Sequence, residues 1–401
     1  MDRSPRPARR TVVLGAGLTS MALLAACGGG SLGGGDDDEA GEDGATSITV
    51  GLSYPQSGVY APLGEDINQG FQLYLDQNDG QLGGLDVELV TADEGEGPQT
   101  GVPATERLVT QDGADVVVGI VSSAVALGLQ DAFIQAEVPL ILANAGANDI
   151  TAEGSDYIWR SSYRNGDVSG AIGEHVVEAV GDGSVYLIAA DYAAGQEHVA
   201  GFREAFEAAG GTVAGETYTP FGTTSDFQPY LSEIQASDAS AVFAFYAGAE
   251  AASFVQQYDQ FGLSEDIQLY GNGFIVEGDL LEAQGESALG IQTSLPYSAM
   301  IDTERNTEFV EAYEEAYGEY PTIYAVSAYD AAAAVDAAAE AAESIDGPGI
   351  AAALGEIGEI DSPRGPWSFD ENHDPLTPYY IREVQEVDGE LRNVIIAELE
   401  G

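Results

Sequence analysis

From Ser47 onward, short runs rich in β-branched residues alternate with segments whose apolar positions recur every three or four residues. "SITVGLSY" (47–54) predicts a strand ending in a Pro/Gly turn. In "GEDINQGFQLYLDQNDG" (64–80), Ile67, Phe71, Tyr74 and Leu75 share one helical face, and Gly80 closes the helix. "DVELVTAD" (86–93) predicts a strand, "QTGVPATERLVTQDG" a helix, and the unbroken apolar run "ADVVVGIV" (114–121) a buried parallel strand. A helix over about 124–136 and the strand "VPLILAN" (138–144) follow. Beyond 165 the rhythm repeats. One helix carries Val168, Ile172, Val176 and Val180. Then come the strand "SVYLIAA" (184–190), a helix over about 194–209, the strands "TVAGETYT" and "ASAVFAFYAG", a helix over 250–262, and "IQLYG" (267–271).

Alternation of this kind predicts right-handed βαβ units and parallel sheets. Eight or more units exceed one compact sheet. The expected fold class is therefore α/β, with two doubly wound (Rossmann-like) lobes near 47–165 and 166–296. The C-terminal third supplies helices over 305–318 and the Ala-rich 326–344. "GPWSFDENHDP" (365–375) then leads into a last strand, "YYIREVQEV". In open parallel sheets ligands bind outside the carboxyl ends of the strands, so a cleft between two facing lobes is the expected site.

The first residues follow a different pattern. Four Arg and one Asp occupy 1–10, and "TVVLGAGLTSMALLAACGGG" (11–30) is apolar until it stops at the chain's single cysteine. The apolar part is shorter than the roughly 20 residues of a spanning helix and fits the core of an export signal. Arg9-Arg10 resemble a twin-arginine signal, and "LAAC" resembles a lipobox, in which Cys27 receives a diacylglycerol and the peptide is cut before it. The following "GGGSLGGGDDDEAGEDGATS" has no apolar period and reads as a flexible, self-repelling acidic tether. Residues 1–26 are thus expected to be an export signal, and 27–46 the lipidated Cys with its tether.

Charge narrows the partners. Sixty-eight Asp and Glu stand against 12 basic residues, all Arg, for a net charge of −56. Such a surface repels nucleic acid and anionic membranes, and it repels itself unless concentrated salt screens it. The composition points to a halophile. One cysteine excludes an internal disulfide or a Cys-based metal cluster, and the three His lie in unrelated segments. No nucleophile–base pair appears, so an enzyme, a cofactor and a metal site are not expected.

The strand ends that face a cleft hold the candidate contacts. "GIVSSAVALGLQ" puts Ser122 and Ser123 at a helix start, where free N–H groups and the helix dipole favour a carboxylate. Ser123 could equally serve only as a helix cap. In "LILANAGAND", Asn144, Ala145 and Gly146 open a loop whose backbone can approach a ligand closely. In the second lobe, "AADYAAGQE" (189–197), "FAFYAGAE" (243–250) and "LYGNGF" (269–274) place Tyr192, Tyr246, Asn272 and Phe274 at strand ends.

These stretches, with "YPQSGVYAPLGEDINQGFQLYLDQND", which contains Tyr60, and "IWRSSYRN", "DYAAGQEHVAGFREAFEAAGG" and "YAVSAYDAAAAV", resemble the solute-binding proteins of branched-chain (hydrophobic) amino-acid ABC importers. The resemblance covers nearly all of 47–395. It implies the type I periplasmic-binding fold, with three crossovers acting as a hinge. It divides the chain into lobe one (47–165 plus about 297–376) and lobe two (166–296 plus about 377–401). It implies a lipid-anchored protein on the outer face of the cytoplasmic membrane that gives a small organic carboxylate to a permease. The family's carboxylate-holding Ser matches Ser123, and its amide loop matches Asn144 to Gly146, with Gly146 in place of a Thr. Ala194 stands where many members have Tyr. The acid that meets a ligand ammonium falls at Gly273. "DYAAGQE", "FGTTSDFQPYL" and "FYAGAEAASFVQQYDQFGL" are similar to a subgroup carrying aromatic carboxylates. Amino acid and benzoate-type acid both stand as ligands, and a sensor serving a separate signalling partner stands as a further function.

Overall fold

The computed structural model describes residues 45–399 apart from 59, 96 and 153. The expected export signal, Cys27 and the tether up to residue 44 lie outside the described residues.

Lobe one is built on strands β1 (Ser47–Tyr54), β2 (Gln81–Leu82), β3 (Leu85–Asp93), β4 (Val116–Gly119), β5 (Leu140–Leu142) and β6 (Ile158–Arg160), ordered β2-β3-β1-β4-β5-β6. All pairings are parallel except the short β2 edge. Lobe two repeats the plan with β7 (Ser184–Asp191), β8 (Thr212–Pro220), β9 (Ala241–Phe245), β10 (Gln268–Asn272) and β11 (Gln292–Leu295), in parallel order β8-β7-β9-β10-β11. In each lobe the first strand lies between the next two long strands, β1 between β3 and β4 and β7 between β8 and β9. That gap is the topological switch point where ligand sites form.

The C-terminal third serves both lobes. The helix Ile323–Ala341 is buried along most of its length and packs against Ala61–Gln77 of lobe one. Gly70 makes the approach possible, since a Cβ there would stand 2.0 Å from the Ala325 carbonyl oxygen. A small ribbon of β12 (Ser368–Phe369) and β13 (Pro375–Leu376) follows. The chain then adds β14 (Tyr379–Val387) antiparallel to the β11 edge of lobe two, and β15 (Glu390–Leu399) antiparallel to β14.

Two sequence expectations need correction. The segment 165–180 is two helices, Asn165–Gly170 and Gly173–Val180, not one. Glycines line the approach of the helix Ala193–Ala208: a Cβ on Gly201 would stand 2.3 Å from the Gly166 carbonyl oxygen, and one on Gly173 would meet Ala205 at 2.8 Å. The strand 379–387 is not the last. Asp388 and Gly389, both at positive φ, turn the chain back into β15.

Three arginines fasten the crossovers. Arg160, Arg364 and Arg382 are 0–1 % exposed. Arg160 lies 3.3 Å from Asp374 and donates to the carbonyls of Ala147 and Tyr163. Arg364 lies 2.7 Å from Asp330 and donates to the Ser161 and Ser162 carbonyls. Arg382 lies 3.0 Å from Glu277, whose other oxygen accepts the Ile323 amide at the start of the long helix. Each pair joins segments distant in sequence.

Candidate functional site

The site begins at a strained turn. Gly119 and Ile120 both adopt positive φ, Ile120 at 65°. A β-branched residue in that region costs about 1–3 kcal/mol and persists only where its surroundings enforce it. Here the Ile120 amide donates to Ser53 and its carbonyl accepts from Ala145. The turn re-aims the amides that follow. Those of Val121 and Ser122 donate to the buried carboxylate of Glu94 at 2.8 and 2.7 Å. The amides of Ser123 and Ala124, which open the helix Ser123–Ala136, find no acceptor among the described residues. Burial pushes the Glu94 carboxyl up to about 7, against the lowering effect of its two amide bonds.

The two serines are not simple caps. Ser122 occupies the cap position but makes no side-chain cap bond. The Ser123 hydroxyl accepts the Ala147 amide at 3.1 Å, tying the helix start to the loop after β5. Within that loop Asn144 donates to the Val121 carbonyl and accepts the Tyr163 hydroxyl at 2.6 Å. Ala145 is buried in the core, with its amide spent on Ile120. Gly146 is required by space, since a Cβ would lie 2.2 Å from Asn165 Oδ1. Asn144 and Ala145 therefore shape the loop and leave the Ser123 end of the helix as the donor group.

Tyr163 carries the site across to lobe two. Its ring lies 4.8 Å from Phe274, which lies 6.2 Å from Tyr324 and 5.9 Å from His198. His198 stacks on Phe245 at 4.0 Å, and Phe245 is followed by Tyr192, itself stacked on Phe221. Tyr60, at the start of the helix Ala61–Gln77, is close enough to Tyr192 to add, behind burial, to the rise of the Tyr192 hydroxyl. Burial pushes the hydroxyls of Tyr163, Tyr192 and Tyr324 far up, so all three are neutral donors. His198 has a partner that its sequence context does not show. Its Nδ1 is 2.8 Å from the Ser169 hydroxyl, and burial lowers it to about 3, so the ring is neutral. Glu197, one residue earlier, accepts the Asn148 amide and the Asn165 side chain across the lobe junction.

Of the expected lobe-two contacts, Tyr192 and Phe274 join this aromatic group and Tyr246 does not. Phe243 and Phe245 face the cluster shared with lobe one, so the pleat turns Val242, Ala244 and Tyr246 to the other side of the sheet. Tyr246 is wholly buried among Phe227 and Phe254, its hydroxyl 3.2 Å from Thr219. Asn272 pairs in register with Ser294, whose hydroxyl binds the Val168 carbonyl, which puts both on the face toward the helix Asn165–Gly170. The Asn272 amide is fully buried and makes no hydrogen bond. Gly273 leaves room for Arg382, whose guanidinium would stand 2.2 Å from a Cβ there.

The sequence as a whole fits the family model described as periplasmic binding protein, over residues 47–390. The chain belongs to the periplasmic binding protein family. It is 30 % identical over 360 residues to the Leu/Ile/Val-binding protein homolog 6 of Brucella melitensis, covering 86 % of this chain and 89 % of that one. An ABC transporter substrate-binding protein from Sphaerobacter thermophilus superposes with a TM-score of 0.84 at 33 % identity, over 88 % of this chain and 98 % of its own. A solute-binding protein of an ABC transporter from R. palustris, solved in complex with benzoate, gives 0.78 at 33 % identity, over 87 % and 96 %. This periplasmic binding protein is therefore an extracytoplasmic solute-binding protein of ABC-transporter type and not an enzyme. Four buried residues escape a strand-end search, namely Tyr163, Tyr324 and Glu94 of the candidate site and Glu277 of the hinge. Tyr163 and Tyr324 lie on a crossover and on a C-terminal helix. Glu94 and Glu277 read as ordinary surface acids in a chain this acidic. The one local signal is an aromatic three residues past β6, in "IWRSSYRN".

Proposed function

We propose that this protein captures a small aromatic carboxylate of the benzoate type between its lobes and delivers it to an ABC permease. The carrying observation is the run of rings Tyr163, Phe274 and Tyr324 that joins the two lobes. Flat apolar walls suit an aryl ring, with offset or edge contacts worth about 0.5–1.5 kcal/mol each beyond burial. The open amides of Ser123 and Ala124 suit the carboxylate. The unmet amide of Asn272 suits a second polar group such as a ring hydroxyl. Gly273 supplies no acid for an ammonium, and Glu277 is already held by Arg382. The benzoate complex of the R. palustris protein supports the same reading.

One observation favours an amino acid instead. Glu197 sits at the lobe junction held only by neutral donors, Asn148 and Asn165, and could meet an ammonium. A thermal-shift screen in molar salt separates the two, with benzoate and 4-hydroxybenzoate in one arm and leucine in the other. A ligand at 100 times its Kd stabilises by about 2.7 kcal/mol. Stabilisation by the benzoates alone is expected. Stabilisation by leucine alone, lost in Glu197→Gln, overturns the aromatic reading.

The same proposal places the protein on the outer face of the cytoplasmic membrane, anchored through lipid on Cys27 and adapted to high salt. A Cys27→Ser variant should appear in the medium instead of the membrane fraction. Retention of that variant in the membrane fraction would reject the anchor.

A further inference from the structure

Glu94 is a buried charge that anion capture alone does not account for. It is fully buried, and its two oxygens take the Val121 and Ser122 amides, the first donors after the strained turn at Ile120. The donors that remain open, Ser123 and Ala124, are the next two along the same helical turn.

No described cation faces Glu94. On β3 its neighbour is Asp93, exposed and held by the amides of Gln56 and Gly95 and the Ser57 hydroxyl. From β1 it meets the Tyr54 carbonyl, which accepts its amide. From the start of Ala61–Gln77 it meets Tyr60, whose hydroxyl is pushed up by burial and by the charge of Glu94. From the helix Pro98–Thr110 it meets Gly101, while Arg107 of that helix turns to Asp112 and the Thr91 carbonyl. The helix Ser123–Ala136 adds hydroxyls and amides only. The sole charge described beside Glu94 is thus another carboxylate, and it raises Glu94 further.

We propose that Glu94 makes ligand capture proton-linked: when an organic anion settles on the Ser123 and Ala124 amides, Glu94 takes one proton from solvent. This rests on the reading of that helix start as the carboxylate site. Two desolvated carboxylates on neighbouring donors of one turn do not both stay ionised. The ligand must keep its charge to hold the open amides, so the resident acid protonates. One O–H bond forms per anion bound, and no other bond changes. Glu94 thereby couples capture to pH and favours it in neutral to acid medium.

The test is calorimetric titration of the full chain with benzoate in molar salt at pH 7, in two buffers of different ionisation heat. Unequal enthalpies are expected, corresponding to uptake of a sizeable fraction of one proton. The benzoate Kd should rise by up to about tenfold per pH unit above neutrality. Glu94→Gln should give equal enthalpies in both buffers and a flat Kd from pH 6 to 8.5. The wild-type buffer comparison stands without any variant. Benzoate binding with equal enthalpies overturns the proposal and leaves the aromatic reading intact. If leucine binds and benzoate does not, the aromatic reading falls, and the same comparison with leucine decides Glu94. If neither binds, both fall.

Discussion

At the crossovers each deeply buried cation faces an acid from a distant segment: Arg160 meets Asp374, Arg364 meets Asp330, and Arg382 meets Glu277. At the cleft Glu94 is buried as deeply, and its oxygens are bonded only by amides. The hinge neutralises charge within the protein, which fixes geometry. The cleft holds a charge on dipoles, which leaves its protonation open to whatever binds beside it. In a chain with 68 acids and 12 basic residues, where the arginines go is itself informative. Three of the eight arginines within the described residues are withdrawn from the repelling surface and spent on the hinge.

The largest effect should come from breaking a hinge pair. Arg364→Met strands Asp330 without its cation, and unfolding in denaturant should show a loss of about 3–5 kcal/mol. Arg364→Met with Asp330→Leu should recover most of it. A double variant no better than the single would show that the guanidinium's bonds to Ser161 and Ser162, and not the charge pair, hold the crossover.

Next comes acid sensitivity near the cleft. His198 is neutral in the fold because burial lowers it to about 3, whereas the unfolded chain protonates it near 6.5. Its contribution is complete above that value and is lost as pH falls toward 3. At pH 5 the loss is about 2 kcal/mol. Thermal melts from pH 7 to 5 should therefore fall more steeply for wild type than for His198→Leu. Parallel curves would mean that the ring is protonated or free to leave its Ser169 contact.

Ser123→Ala should weaken benzoate about tenfold, the worth of roughly 1 ± 0.5 kcal/mol for one hydrogen bond plus the loosened Ala147 loop. Unchanged affinity in a binding titration would remove the Ser123 hydroxyl and the loop it ties from ligand binding, leaving only the backbone amides. The smallest effect belongs to the surface. Arg203 and Glu216 form an exposed pair, and Arg203→Gln should change stability by less than about 1 kcal/mol, with the difference vanishing in molar salt. A larger, salt-insensitive loss would erase the contrast between surface and hinge.

The strands of both parallel sheets are legible because a buried parallel strand must be a continuous apolar run, as "ADVVVGIV" and "SVYLIAA" are. The place of Ser123 at a helix start is legible from its position between such a strand and a helical period, but its bond to the Ala147 loop is not. Tyr246 misleads because period two puts Phe245 and Tyr246 on opposite faces, and the sequence does not say which face meets the other lobe. Tyr163 and Tyr324 reach the cleft from a crossover and from a helix some 160 residues later, a juxtaposition that only tertiary packing creates. The break at Ala171–Ile172 follows from glycines packed against a neighbouring helix, which periodicity does not register. The Asp388-Gly389 hairpin was readable from its turn residues alone.

The return of the chain's last segments to both lobes bears on how the polypeptide is made. Lobe one lacks its long packing helix until Ile323–Ala341 is synthesised, and β11 lies at a raw sheet edge until Tyr379–Val387 arrives. Lobe one waits for residue 341 and lobe two for residue 387. Biogenesis is thus a late event, in which nearly the whole polypeptide must be present before either lobe is sealed against protease or aggregation.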